Sequence, residues 1–211
     1  MKYLFILIFI SLPLFAFENL KIQKPSAMDD EFKTLSQALS TTRTLKANFT
    51  QSKKIKVLKK PLLSSGKLIF DRETGVFWKL EKPFESIIVI DQTKLTSIDD
   101  EGKKITFKAE EKPMLYGFTK IFLSIFSGNT EELKKHFTVY YGKSNGKWQI
   151  GLIPSSAELK KVLSKILLSG SNQTVSDIKL WESNGDLTDI HFTDIQKAQK
   201  LSADDKKKFE F

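Results

Sequence analysis

The sequence predicts an α+β domain built on a mainly antiparallel sheet, with helices laid against one of its faces. Three observations carry that expectation. Short runs alternate between apolar and polar residues, as where Val76, Trp78 and Leu80 interleave with Phe77, Lys79 and Glu81. Turn signals such as Ser144-Asn145-Gly146 and Asn184-Gly185 separate neighbouring runs at hairpin spacing. Near the N-terminus Met28, Phe32, Leu35 and Leu39 instead recur at helical spacing, and such an apolar stripe needs a partner to cover it. With 211 residues, 40% hydrophobic and 28% charged, the chain has ordinary globular composition and enough length for one domain with a real core. No repeat, linker or composition break divides it.

Taken in order, the chain opens with Lys2, an apolar run from Leu4 to Phe15 and the small residue Ala16. That pattern predicts a secretory signal peptide over residues 1–16 and an exported mature domain over 17–211. An uncleaved anchor is the competing reading, because Leu14 rather than a small residue stands two before Ala16. Ser26 caps a helix expected from about Ala27 to Thr42. Leu45, Ala47 and Phe49 switch to period two and begin the first strand. At its far end, before Pro61, comes the run Lys53, Lys54, Lys56, Lys59 and Lys60. Two readings stand: a solvated face guarding a sheet edge, or a docking patch for a membrane or partner.

Gly66, Leu68 and Phe70 share one face of the second strand, and Ser65, Lys67 and Ile69 the other. Val76 to Leu80 is the third strand. Ile87 to Ile90 is apolar on both faces, which predicts a central strand. Leu95–Ile98 and Lys104–Phe107 follow across the turn Asp99-Asp100-Glu101-Gly102. From Pro113 to Gly128 the residues Met114, Leu115, Phe118, Ile121, Phe122, Leu123 and Ile125 are apolar almost all round a helix. Such a helix is buried core or closes over a site. Gly128 ends it, and Asn129 or Thr130 caps a short helix to His136. Phe137–Tyr141 with Trp148–Pro154, and Val175–Trp181 with Leu187–Asp194, read as hairpins. Ser156 to Ser169 reads as a short helix and then a strand, and Ser202 to Lys208 as a final helical turn.

Few groups could converge for catalysis. There are two histidines and no cysteine, so the usual nucleophile pairs and zinc spacings are missing, and no phosphate-cradling glycine loop is present. His191, between Ile190 and Phe192, should face solvent from its strand. Asp99, Asp100, Glu101, Asp186 and Asp189 are turn acids by position. The expectation is a binding protein, not an enzyme, without metal or cofactor. Zero cysteines also exclude a disulfide framework and a lipid-modified N-terminus of the bacterial lipoprotein kind. The formal net charge of +9 in an exported chain points away from nucleic acid, toward acidic head groups or acidic partner surfaces, or serves only solubility. Seventeen Phe and three Trp supply more large apolar side chains than a thin core needs.

Several spacings occur in a familiar order: Phe49-x-Gln51, Ser65-Gly66-x-Leu68-x-Phe70, Trp78-x4-Pro83, Trp148-x-Ile150-x-Leu152-x-Pro154, and Trp181-Glu182-Ser183-Asn184-Gly185-Asp186-x-Thr188-x-Ile190-x-Phe192. Together, over residues 28–211, they resemble the periplasmic lipoprotein carrier family, LolA. The resemblance implies a single-domain, strongly curved half-barrel sheet with helices packed in its concave side as a lid. It implies a monomeric carrier that takes acylated lipoproteins from an inner-membrane ABC exporter to an outer-membrane acceptor, with transient membrane-surface contact. A relative carrying another lipid, such as a glycolipid or pigment ester, and a sensor or assembly module on the same fold are the alternatives.

On that resemblance the acyl chains would meet Phe49, Leu68, Phe70, Val76, Trp78, Leu80, Phe118 and Phe122. Arg72, six positions before Trp78, falls where relatives carry an arginine that hydrogen-bonds lid carbonyls in the closed form. Here Glu73 follows it where relatives often have Pro, and Thr96 stands where many have Trp. The competing reading of Arg72 is a turn arginine paired with Asp71 or Glu73 at the surface.

Overall fold

A computed structural model of the chain describes residues 21–22, 30–91, 93–108, 121, 123–125, 127–144 and 146–210. Its frame is one antiparallel sheet. In chain order come β1 (Lys21–Ile22), helix α1 (Asp30–Ser40), β2 (Thr44–Lys54), β3 (Leu62–Asp71), β4 (Gly75–Lys82), β5 (Ser86–Ile90), β6 (Lys94–Ile98) and β7 (Lys104–Lys108). Then follow α2 (Thr130–His136), β8 (Phe137–Ser144), β9 (Lys147–Pro154), α3 (Ala157–Lys160), β10 (Leu163–Ser171), β11 (Thr174–Glu182), β12 (Leu187–Ala198) and α4 (Ala203–Lys207). The strands lie in the order β1-β8-β9-β10-β11-β12-β2-β3-β4-β5-β6-β7 in one curved sheet that does not close on itself.

The local chemistry of the turns explains the register. Gly102, Gly146 and Gly185 take positive φ in the β6–β7, β8–β9 and β11–β12 turns, where a side chain would be strained. Asn129 Oδ1 accepts the Glu132 amide at 3.1 Å to start α2, Ser156 does the same for Leu159 in α3, and Ser202 for Asp205 in α4. Gly128, at φ 63°, ends the helical residues at 121, 123–125 and 127; a Cβ there would lie 2.6 Å from the Leu39 Cβ, so this turn presses directly on α1.

The two faces of the sheet are both covered, by different things. On the inner face Phe32, Leu35 and Leu39 of α1, together with Ile121, Ile125 and Leu133, are buried against Leu45, Phe49, Leu68, Phe70, Val76, Ile150, Leu152, Ile166, Ile178, Ile190 and Phe192. On the outer face Ile69, Phe77 and Val89 lie side by side across β3, β4 and β5, under Leu201, Ile87 and Phe209 of the C-terminal segment and β5. This second layer explains why β5 is apolar on both sides. It is an inner strand, flanked by β4 and β6, but it lies third from the β7 edge and is not at the middle of the sheet.

One expectation needs correction. The lysine run does not guard an edge, because β2 lies in the interior of the sheet between β12 and β3; its lysines stand at the end of β2 and around the β2–β3 hairpin tip, while β1 and β7 are the outermost of the described strands. The first helix is described only from Asp30 to Ser40, and the Ser26 cap lies outside the described residues. No described helix is long and apolar enough to cross a membrane.

Candidate functional site

Strand register places three apolar rows across the inner face. Phe192, Phe49, Gly66 and Leu80 are consecutive partners across β12, β2, β3 and β4. Beside them run Ala47, Leu68, Trp78 and Ile88, and then Leu45, Phe70, Val76 and Ile90. The parity read from the sequence is thus the observed one, and it brings Phe49, Leu68, Phe70, Val76, Trp78 and Leu80 onto one surface. Phe118 and Phe122 lie outside the described residues. Their helical neighbours Ile121 and Ile125 are buried against the same surface.

Burial grades along these rows. Leu68, Phe70 and Val76 are fully buried, whereas Trp78 and Leu80, nearer the β2–β3 hairpin, are half-buried. The Trp78 ring stacks on Phe49 with centroids 4.0 Å apart and meets Phe192 edge-on at 6.3 Å. Gly66 has a specific reason to be glycine: β4 bulges opposite it, and a Cβ on residue 66 would lie 1.9 Å from the Lys79 carbonyl oxygen.

Helix α1 spans this face obliquely. Near its start Phe32 packs on Tyr141 of β8, ring centroids 5.3 Å apart, and Glu31 pairs with Lys143 at 3.1 Å. In its middle the Ser36 hydroxyl shares a 2.8 Å hydrogen bond with Thr130. At its end the Ser40 carbonyl accepts from Arg72 in the β3–β4 turn. Strands β8 and β3 are about 29 Å apart in a flat sheet at ~4.8 Å per strand, whereas Phe32 and Ser40 are separated by roughly 12 Å of helix. Curvature of the sheet and the reach of the side chains close the difference.

Arg72 is where the helical pieces meet the sheet. Its Nη2 donates to the carbonyls of Ser40, of Thr42 at 3.0 Å and of Ser127 at 3.2 Å. The acids beside it are engaged elsewhere: Glu73 pairs with Arg43, and Asp71 accepts from the Thr44 hydroxyl at 2.8 Å and from the amides of Glu73 and Thr74. Burial alone would push the Asp71 carboxyl up, but the hydrogen bonds from Thr74, Thr44 and Glu73 outweigh it and hold it below its ordinary value. The turn is therefore built by Asp71, leaving the guanidinium to serve the carbonyls. Thr96 is buried and shares a 3.2 Å hydrogen bond with Thr106.

A model of the outer membrane lipoprotein carrier protein LolA matches residues 40–211 of this chain. The chain belongs to the LolA family. Among its relatives, an outer-membrane lipoprotein carrier protein of Legionella pneumophila is 31% identical over 169 residues, covering 80% of each chain. One of Dechloromonas aromatica is 29% identical over 170 residues, covering 80% of this chain and 78% of the relative. Among solved structures, a putative outer membrane lipoprotein-sorting protein domain from Vibrio parahaemolyticus aligns over 85% of this chain and 95% of its own, at 10% identity and a TM-score of 0.46. A LolA superfamily protein from Nitrosomonas europaea aligns over 82% and 95%, at 8% identity and a TM-score of 0.42.

Two features of the sheet are not apparent from the local sequence. Phe192 reads from the sequence as a strand residue only, although its parity with Ile190 sets it on the inner face. The convex layer is the other: Ile69, Phe77 and Val89 stand at outward positions of three adjacent strands, and that in-register apolar row is the available signal. His191 is exposed as expected, with Nδ1 2.7 Å from Asp177.

Proposed function

We propose that the protein is a periplasmic, non-enzymatic carrier that holds the acyl chains of lipoproteins against the inner face and passes them from an inner-membrane ABC exporter to an outer-membrane acceptor. The observation that carries this reading is the pairing of the apolar rows around Phe49, Trp78 and Leu80 with a helical cover tied down through Arg72. A carrier must not bind too well. Burial is worth about 0.8 kcal/mol per methylene, so a sixteen-carbon chain gains on the order of 12 kcal/mol gross, too much for release in useful time. Here cargo has to displace Phe32, Leu35, Leu39, Ile121 and Ile125 from the same face, and giving up that packing offsets much of the gain. Arg72 is the latch of the covered state in this reading, because its three acceptors all belong to the cover or its flanks. Mass spectrometry of what co-purifies from the periplasm tests it. Acylated peptides are expected; a glycolipid or pigment ester would assign another cargo, and a bare protein partner would reject the lipid site.

A further inference from the structure

We propose that the tip of the β2–β3 hairpin is a membrane-docking element that seats on a bilayer of anionic phospholipid. The inference deepens the carrier reading and rests on it for the kind of surface the protein must visit. The tip is apolar where it meets water: Val57 is 86% exposed and Leu63 68%, and Leu58 and Leu62 are about half exposed. Phe84, 71% exposed, stands on the neighbouring β4–β5 turn at the same end of the sheet, since Lys82 pairs with Ser65. Pairing of Leu62 with Lys53 and of Leu63 with Ser52 sets those two leucines on opposite faces. The hairpin is therefore a convex wedge, apolar on both sides, rather than a groove for a peptide.

Charge says which surface fits it. Lys54, Lys56, Lys59 and Lys60 surround the apolar residues, all exposed and without an acidic partner among the described residues. Nearby acids are occupied: Glu182 holds Lys53 at 2.8 Å, Glu85 lies 3.4 Å from Lys79, and buried Asp186 accepts the Lys56 amide at 2.9 Å. That last bond ties the tip to the β11–β12 turn, so little ordering is needed on docking. The acidic turn at Asp99, Asp100 and Glu101 is four strands away, about 19 Å along the sheet. At physiological salt, screening acts over about 8 Å, so that turn does not cancel the patch. Lysines ringing exposed aliphatic side chains are what an interfacial anchor requires on negatively charged lipid. The tip also adjoins the half-buried end of the inner face at Leu80, so docking would bring that end of the proposed cargo face close to the bilayer where exporter and acceptor reside.

The absence of cysteine permits a direct test. The exported protein carrying Val57→Cys is labelled with an environment-sensitive fluorophore and mixed with vesicles of phosphatidylglycerol and phosphatidylethanolamine; Lys147→Cys, at the opposite end of the sheet, is the control. The label at 57 is expected to shift to the blue and to be quenched by nitroxide lipid, and the label at 147 to stay aqueous. Both effects should fade with salt and be absent on phosphatidylcholine alone. Val57→Ser with Leu58→Ser should weaken vesicle partition on the order of tenfold while leaving lipopeptide binding unchanged. Equal responses at 57 and 147, equal binding to neutral vesicles, or no vesicle binding while the hairpin cross-links to a periplasmic protein would each overturn the proposal. Lipopeptide binding separates it from the carrier reading: if that fails and vesicle docking holds, only the carrier reading falls.

Discussion

Arg72 and Gly66 show how much one residue can decide. A guanidinium hydrogen-bonded to carbonyls contributes about 1.5–3 kcal/mol where it is sheltered, and less at an exposed turn such as this. Arg72→Leu removes those bonds and adds apolar surface at the rim, so on the proposed carrier reading it should shift the balance from the covered empty state toward cargo. Lipopeptide should still bind, and its transfer to an acceptor should slow on the order of tenfold. Unchanged transfer kinetics would return Arg72 to the rank of an ordinary turn residue. Gly66→Ala acts on stability instead. Its methyl group would meet the Lys79 carbonyl of the β4 bulge, a backbone atom that cannot swing aside. A loss on the order of 2 kcal/mol or more is expected in urea unfolding. A midpoint equal to wild type would mean the bulge relaxes freely.

At the scale of elements, the C-terminal helix α4 is joined to the outer face by one buried carboxylate. Asp205, 4% exposed, accepts from Lys46, from Lys208 at 2.8 Å and from the Ser202 hydroxyl at 2.7 Å, while Leu201 and Phe209 cover Phe77 and Ile69. Burial pushes the Asp205 carboxyl up, but the bonds from Lys208, Lys46 and Ser202 prevail and hold it well below the usual range. The folded value is depressed, so its stabilisation is complete above the unfolded value, near ~3.9, and is lost as pH falls toward the folded one. Asp71 contributes with the same sign. Wild type should therefore weaken below about pH 4, and Asp205→Asn should lower neutral-pH stability by roughly 2 kcal/mol and flatten that acid limb. An unaltered pH profile in the variant would show that Lys46 and Lys208 contribute nothing to holding α4. The helices, hairpins and turns were legible in the sequence because each has local signals: the Asn129 and Ser202 caps, the Gly128 stop, the alternation through Trp78. Position within the sheet was not. Nothing local told β2 that it would lie between β12 and β3, which is why its lysines looked like edge guards. The outer apolar row was hidden for the same reason, since Ile69, Phe77 and Val89 become neighbours only through pairing.

For the whole molecule the question is whether the inner face is core or container, and strand parity lets one measurement decide. Residues 79 and 80 are adjacent in sequence and opposite in environment: Leu80 joins the inner rows, whereas Lys79 faces outward within reach of Glu85. Trp78, stacked on Phe49, is positioned to report. Trp148 donates to the Asn172 carbonyl at 2.9 Å and Trp181 lies under Lys165, so both emit from elsewhere and must be replaced by Phe to isolate Trp78. In that background a lipopeptide should shift the emission of Trp78. Leu80→Asp should abolish the shift and the binding, because a carboxylate on the inner face is desolvated when cargo arrives, and Lys79→Asp should preserve both because its carboxylate stays wet. Circular dichroism confirms that each variant is folded before the comparison is made. If a folded Leu80→Asp protein still binds, or if both substitutions act alike, then the rows around Phe49 and Trp78 are a core that Phe32, Leu35 and Leu39 never vacate. Cargo would then have to be sought elsewhere, first in the open cleft of about 710 Å³ along the flank of α1 beside Leu35, Tyr141 and Trp148.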